Sequence, residues 1–405
     1  MNMYSDLSYR LTKELHKDIK KNQGIFFTPP RTIINNINEI SSYMNNIHTI
    51  LEPSCGSCEF ITYLHKNYPN TSITGIEYNE EIYDKIKIYN NDKINIIKRN
   101  FLTFETNEKY DLIIGNPPYF VIHKSTIDKE YYEYFDGRPN IFILFIIKSL
   151  KMLNNNGIFN FVLPKSFLNC LYYDKTRQYI FDNFYIINIL ECYDKYIDTS
   201  QETITLIVQK RDDELDTIHN NNLKFTINKY KFCIFGTQEN ILKLHLLYEN
   251  SKSLHSLNFK VNVGNIVWNQ NKAILTDDNT KTRLIYSSDI KNNQLIFKKY
   301  SNSVKKNYID KEGNTCPTLT INRGYGVGNY NFEYCLIDGE FEYLIENHLI
   351  CINYSTDIDK NELITLYRNI ITSLNDERTK EFIKIYFGNS AINTTELNYI
   401  LPIYL

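Results

Sequence analysis

Residues 49–64 read Thr49-Ile50-Leu51-Glu52-Pro53-Ser54-Cys55-Gly56, then Ser57-Cys58-Glu59-Phe60-Ile61-Thr62-Tyr63-Leu64. A short apolar run ends in an acid, a glycine-containing turn follows, and Phe60, Ile61 and Leu64 recur at helical spacing. That is a strand, a turn and a helix. The alternation continues outward. Strands are predicted over 72–77, 94–98, 111–115, 158–163, 186–191 and 203–209. Helices are predicted over 80–89 and 140–153, the second stopped by Asn154-Asn155-Asn156-Gly157. Strands separated by helices require right-handed crossovers and a mostly parallel sheet covered on both faces. In such an α/β sheet, ligands gather at the carboxyl ends of the strands, where the strand order reverses.

The chain has 405 residues, a length that suits two domains. Hydrophobic residues make up 42 %, which supplies real cores and excludes wholesale disorder. A formal net charge of -2 excludes a generally basic coat for nucleic acid, so any such contact must be local. Met1 to Lys21 is polar with no signal-peptide core, and Ile141 to Ile147 is too short to span a bilayer, so a cytoplasmic protein without membrane contact is expected. The eight cysteines read as reduced thiols. Cys55 and Cys58 lack a second ligand pair at metal spacing, so no metal is expected. After Lys210 comes a charged break, Arg211 to Glu214, and from about 236 irregular strands and turns precede a helix over 360–374. The reading is a domain over 1–235 and a second, mixed α+β domain over 236–405.

The chemistry sits at strand ends. Leu51 to Gly56 places an acid and a close-approach turn before a helix N-terminus. Glu77 ends the next strand, where an acid can bind ribose hydroxyls. Asn116-Pro117-Pro118-Tyr119 follows the strand 111–115 directly. The two prolines lock two φ angles and remove two backbone donors, leaving carbonyls, an Asn side chain and an aromatic ring on a stiff turn. Alone it is a rigid corner. Beside nucleotide-type features it reads as an acceptor pair for an NH2 group with a stacking face.

These motifs resemble those of the gamma-class type II N6-adenine DNA methyltransferases over about residues 20–210. Gln23-Gly24-Ile25-Phe26-Phe27-Thr28-Pro29-Pro30 is similar to the family's N-terminal cofactor motif. Leu51 to Gly56 resembles its first nucleotide-binding motif, Arg99-Asn100-Phe101 its adenine contact, and Asn116 to Tyr119 its catalytic tetrapeptide; Phe161 to Pro164 resembles a later strand motif. The resemblance implies a Rossmann-like class I methyltransferase fold with a seven-stranded sheet, and a smaller C-terminal target-recognition domain. It implies S-adenosyl-L-methionine as cofactor. Thr28 would touch its methionine part, with Glu52, Ser54, Gly56 and Pro118 close by. Glu77 would hold its ribose. Asn100, where the family often has Asp, and Phe101 would sit at its adenine. Asn116 and Pro117 would accept hydrogen bonds from adenine N6, orienting the amine and raising its electron density without a general base.

A base inside a duplex cannot reach such a turn and must be flipped out. Tyr119 would stack on one face; Tyr196 is the preferred second ring, with Tyr193 as competitor. In the second half, Glu346 to Ile350 and the ending Phe387 to Pro402 resemble recognition-domain patterns in outline. Arg323 opens a loop, Arg323 to Tyr330, that reads either as an ordinary surface loop or as a reader of a guanine edge. Lys298-Lys299 and Lys305-Lys306 are candidate phosphate contacts. The expectation is a monomeric, stand-alone enzyme acting on double-stranded DNA, with any cognate restriction endonuclease a separate protein. Rival readings are methylation of RNA adenine or of a protein glutamine, or a non-catalytic DNA-binding specificity module.

Overall fold

A computed structural model of the chain describes residues 4–211, 214–298, 300, 304–324, 332–386 and 391–405. The chain forms two compact units, Met1–Leu242 and Lys243–Leu405. The first is built on β1 (Thr49–Glu52), β2 (Ser72–Glu77), β3 (Ile94–Lys98), β4 (Tyr110–Gly115), β5 (Leu153–Pro164), β6 (Tyr185–Cys192) and β7 (Thr203–Gln209). Their order across one sheet is β3-β2-β1-β4-β5-β7-β6. Strands β1 to β5 pair in parallel, and β7 runs antiparallel to both β5 and β6. This is the Rossmann-like methyltransferase sheet expected from the sequence. The order reverses between β1 and β4, so the crevice at their carboxyl ends lies between Glu52 and Asn116.

The sheet is buried on both faces because its strands are apolar at odd and even positions alike. Leu51, Ile113, Phe159 and Phe161 pack in one layer with helix Ile141–Lys151, whose Phe142 to Ile147 are all buried. Ile50, Leu112, Ile114 and Ile158 pack in the other with Ile37 and Ile61. Three helices precede β1: α1 (Asp6–Glu14), α2 (Lys17–Gln23) and α3 (Pro30–Glu39). In α1 only Leu7, Ser8, Leu11 and Thr12 are buried, so a segment that reads as merely polar still contributes one apolar stripe.

The boundary between the helix and the strand around residue 152 differs from its expectation. The helix anticipated over 140–153 ends at Lys151, and Leu153 already pairs with Tyr110. The Asn-rich stretch is an irregularity inside β5 rather than a turn between elements. Asn156 adopts the left-handed conformation at φ 63°, which Asn tolerates, and Asn154 Nδ2 donates to Asp111 Oδ1 at 2.7 Å.

Beyond the charged break the chain remains in the first unit. Helix Leu215–Asn222 leads to a hairpin, Thr226–Lys229 with Phe232–Phe235. The hairpin is tied down by Arg177, which is 0 % exposed. Its guanidinium donates to the carbonyls of Cys233, Phe167 and Cys170 and pairs with Asp174.

The second unit is mixed α+β. One four-stranded antiparallel sheet orders Phe259–Val263, Leu349–Tyr354, Thr318–Asn322 and Tyr334–Ile337. Another contains Leu275–Thr276, Tyr308–Ile309, Thr282–Ile285 and Tyr343–Ile345. Helices Lys360–Leu374 and Glu377–Tyr386 follow. Among the described residues, no helix is long and apolar enough to cross a membrane.

Candidate active site

The turn after β4 is held by the segment Gly24 to Thr28, nearly ninety residues upstream. Asn116 Nδ2 donates to Thr28 Oγ1 at 3.1 Å and, more weakly, to the Phe26 carbonyl at 3.4 Å. On the other end of the amide, the Tyr119 hydroxyl lies 2.5 Å from Asn116 Oδ1 and 2.8 Å from the Val162 carbonyl, sharing one proton between two acceptors. Ser54 Oγ donates to the Asn116 carbonyl at 3.1 Å, joining the β1 and β4 turns. Gly24 makes the approach feasible. It sits at φ 63°, and a Cβ there would fall 2.8 Å from the Tyr119 nitrogen and 2.9 Å from Pro118 Cβ. The Tyr119 ring meets Phe142 edge-on at 5.8 Å, and burial holds its hydroxyl well above its usual pKa, so it stays protonated.

The neighbouring carboxylates are in the opposite condition. Glu52 is 3 % exposed and its Oε2 has no hydrogen-bond partner among the described residues. Burial, with the nearby Cys58 and Glu77 adding to it, raises its carboxyl well above the ordinary range. Glu77 is also buried. It accepts from the Gly56 amide at 2.9 Å and the Asn79 amide at 2.7 Å, yet desolvation outweighs these bonds and raises its pKa to about 7. Cys55 and Cys58 lie buried beneath as free thiols.

A cavity of about 360 Å³ opens over this floor, lined by Ser54, Gly56, Glu77, Asn100, Asn116 and Pro118, with Phe101 and Phe145 on its apolar side. Residues 12–197 match the model of the Eco57I restriction-modification methylase family. The chain carries an Eco57I restriction-modification methylase domain. Similar proteins extend beyond that domain. The type II methyltransferase M.CvrRI of Paramecium bursaria Chlorella virus XZ-6E is 28 % identical over 400 residues, 97 % of each chain. The modification methylase CviBIII of Paramecium bursaria Chlorella virus NC1A is 24 % identical over 411 residues, 99 % of each. The type II methyltransferase M.AccI of Acinetobacter calcoaceticus is 25 % identical over 231 residues, 53 % of this chain and 41 % of that one.

A methylase domain takes S-adenosylmethionine, and the cavity has the features that would hold it. Glu52 is not among the residues lining the cavity but lies next to Pro53 and Ser54, which are, and its unpaired Oε2 suits a cationic amine, which would restore its charge. Glu77 can accept from ribose hydroxyls. Phe101, tilted at 43° against Phe145 with ring centres 5.0 Å apart, offers a wall for an aromatic base. Asn100 lines the cavity; its Oδ1 accepts the Leu102 amide at 3.0 Å, which leaves Nδ2 and the second lone pair of Oδ1 for a ligand. Thr28 is 6 % exposed and its hydroxyl faces Asn116 rather than the cavity lining.

The methylase domain brings Tyr196 close to the same turn. It is 8 % exposed, and its hydroxyl has no hydrogen-bond partner among the described residues. Tyr193 is 85 % exposed. Tyr196 lies on the β6–β7 connection, which walls a second cavity of about 690 Å³. That connection is anchored from the N-terminal helices: Thr32 Oγ1 donates to Asp194 at 2.8 Å, and Lys20 pairs with Asp198 at 2.5 Å. Lys20, Thr32, Gly24 and the Tyr119 hydroxyl were not singled out from the sequence. Lys20, Thr32 and Gly24 meet partners far along the chain, and the Tyr119 hydroxyl reaches Val162 on β5 as well as the adjacent Asn116, so no local pattern announces the set.

In the second unit, Arg323 is half-buried and its carbonyl accepts from the Ile392 amide at 2.9 Å. Tyr325 to Tyr330, Lys299 and Phe387 to Asn389 lie outside the described residues. Lys305 is packed over the rings of Tyr286 at 4.0 Å and Tyr300 at 4.3 Å, and Lys306 pairs with Asp277, so neither projects as a free cation. Among the described residues, no group of His, Cys, Asp or Glu is placed to hold a metal ion.

Proposed function

We propose that this methylase transfers a methyl group from S-adenosylmethionine to the N6 amino group of an adenine flipped out of duplex DNA. The observation that carries the reading is the Asn116 amide, fixed at the end of β4 and lining the same cavity as Glu77. A carboxamide oxygen has two lone pairs. The Tyr119 hydroxyl uses one, and the other is left for an amine proton. The Pro117 carbonyl is the second acceptor on the turn. Together they align N6 and draw its hydrogens aside, which makes its lone pair available.

When bound, S-adenosylmethionine supplies an electrophilic methyl group. Glu77, in the cavity lining, would hold its hydroxyl end and Glu52, beside that lining, its cationic end, and together they would fix where that group lies. Neither group placed to meet the amine is a base: the Asn116 amide does not take up a proton, and burial holds Tyr119 protonated. The extra proton on the methylated nitrogen therefore leaves to water. Tyr119 and Tyr196 bracket the base, the unit after Leu242 selects the sequence, and Arg323 is its candidate base contact. The relatives' designations as type II methyltransferases and modification methylases support DNA as the substrate.

The test offers labelled cofactor with unmethylated duplex DNA, RNA and protein, then digests the products. N6-methyladenine from the DNA arm alone is expected. Label in RNA, in protein or on cytosine overturns the reading.

A further inference from the structure

We infer that Thr28 is a positioning residue for the Asn116 amide, acting with the Phe26 carbonyl as a clamp on the catalytic turn. The inference rests on Asn116 being the acceptor for the substrate amine. An asparagine amide is nearly symmetric in shape, and turning it over exchanges acceptor for donor. A flipped Asn116 would present NH2 to NH2 and lose its function without losing its place.

Three contacts hold the amide, and the one to the Phe26 carbonyl fixes which way it faces. The Phe26 carbonyl can only accept, so a flipped amide would set two oxygens against each other. That contact is long, at 3.4 Å, and holds the amide weakly by itself. The Thr28 hydroxyl could bond either end of the amide, but its bond at 3.1 Å is the closer one and holds that end against the Phe26 carbonyl, which accepts only from Nδ2. Thr28 is almost fully buried, so water does not compete for this bond. Gly24 keeps the whole segment against the turn, since a Cβ there would collide with Tyr119 and Pro118.

This role differs measurably from a contact to the cofactor. A cofactor contact, once lost, weakens binding, and saturating cofactor restores the rate. A lost positioning bond lowers kcat at saturation. Thr28→Val keeps the shape and removes the hydroxyl. It should lower kcat on duplex DNA about tenfold while the cofactor Kd measured by calorimetry stays within about twofold. Thr28→Ser, which restores the hydroxyl, should recover most of the rate, and that rescue excludes a packing defect. Wild-type kcat in Thr28→Val overturns the inference, as does a Kd that weakens in step with the lost rate, or failure of Thr28→Ser to recover. Asn116→Ala assayed alongside separates the two claims. If it still turns over, the acceptor reading fails; if it is dead while Thr28→Val runs at full rate, only the role of Thr28 fails.

Discussion

Two halves of one cleft are prepared for their work in opposite ways. On the cofactor side, Glu52 is buried with an unpaired oxygen, and Glu77 is raised to about 7 despite accepting backbone amides. On the transfer side, the Asn116 amide and the Tyr119 hydroxyl are both engaged before any substrate arrives. The first half is uncomfortable until its ligand binds, and the relief of that discomfort contributes to affinity. The second half gains nothing by rearranging, which is the condition for stabilising a transition state without reorganisation. On the proposed reading, affinity and rate fall to different side chains of one cleft.

The largest effect expected from this contrast is at Asn116. Asn116→Ala should cut methyl transfer roughly a thousandfold, as loss of a preorganised polar group at a reacting centre does, with cofactor affinity nearly unchanged. A parallel loss of affinity would erase the division. Next is Glu52→Gln, which keeps the shape and removes the charge. It should weaken cofactor binding by about ten- to a hundredfold in calorimetry, with a smaller effect on kcat at saturation.

The wild-type pH profile follows. Burial raises the pKa of Glu77 in the free protein, and donors from a bound ribose favour its ionised form. Cofactor affinity should therefore fall as pH drops below about 7, by up to about tenfold per unit. The fold itself has the opposite sign. A carboxyl with a raised folded pKa contributes most below its unfolded pKa, and that contribution is lost as pH rises to about 7. A flat affinity profile from pH 5.5 to 8 would place Glu77 outside the binding event. The smallest expected change is Tyr196→Ala, which should weaken binding to DNA carrying an extrahelical adenine roughly fivefold through lost ring contact. Unchanged affinity would remove Tyr196 from the base pocket.

Much of this contrast was visible in the sequence, but only half of each site. The strands 49–52, 72–77, 94–98 and 203–209 form over the residues that read as strands, because apolar runs bounded by Gly, Pro and Asn are local signals. Glu52, Glu77 and Asn116 could be named because each ends a strand. Their electrostatic states could not. Whether Glu52 finds a partner depends on what the turn at 53–58 and the helix after it leave open. The Thr28–Asn116–Tyr119 chain depends on a closure that brings residue 28 to residue 116. Helix α1 was missed because its Leu7 and Leu11 are diluted by charged neighbours. The Asn154 to Gly157 stretch was misjudged because the composition that ends a helix also suits a strand irregularity.

The buried guanidinium of Arg177 bears on how such enzymes can trade parts. If sequence choice resides in the second unit, new specificities arise by grafting that unit from one relative onto another. The acidic break at 211–214 looks like the natural seam. A junction there would exchange the hairpin whose Cys233 carbonyl accepts from Arg177 Nε, leaving that buried N–H to whatever the graft supplies while Phe167, Cys170 and Asp174 keep the rest of the guanidinium. The workable seam lies past Phe235, and chimeras joined on either side of that hairpin would inherit very different fates.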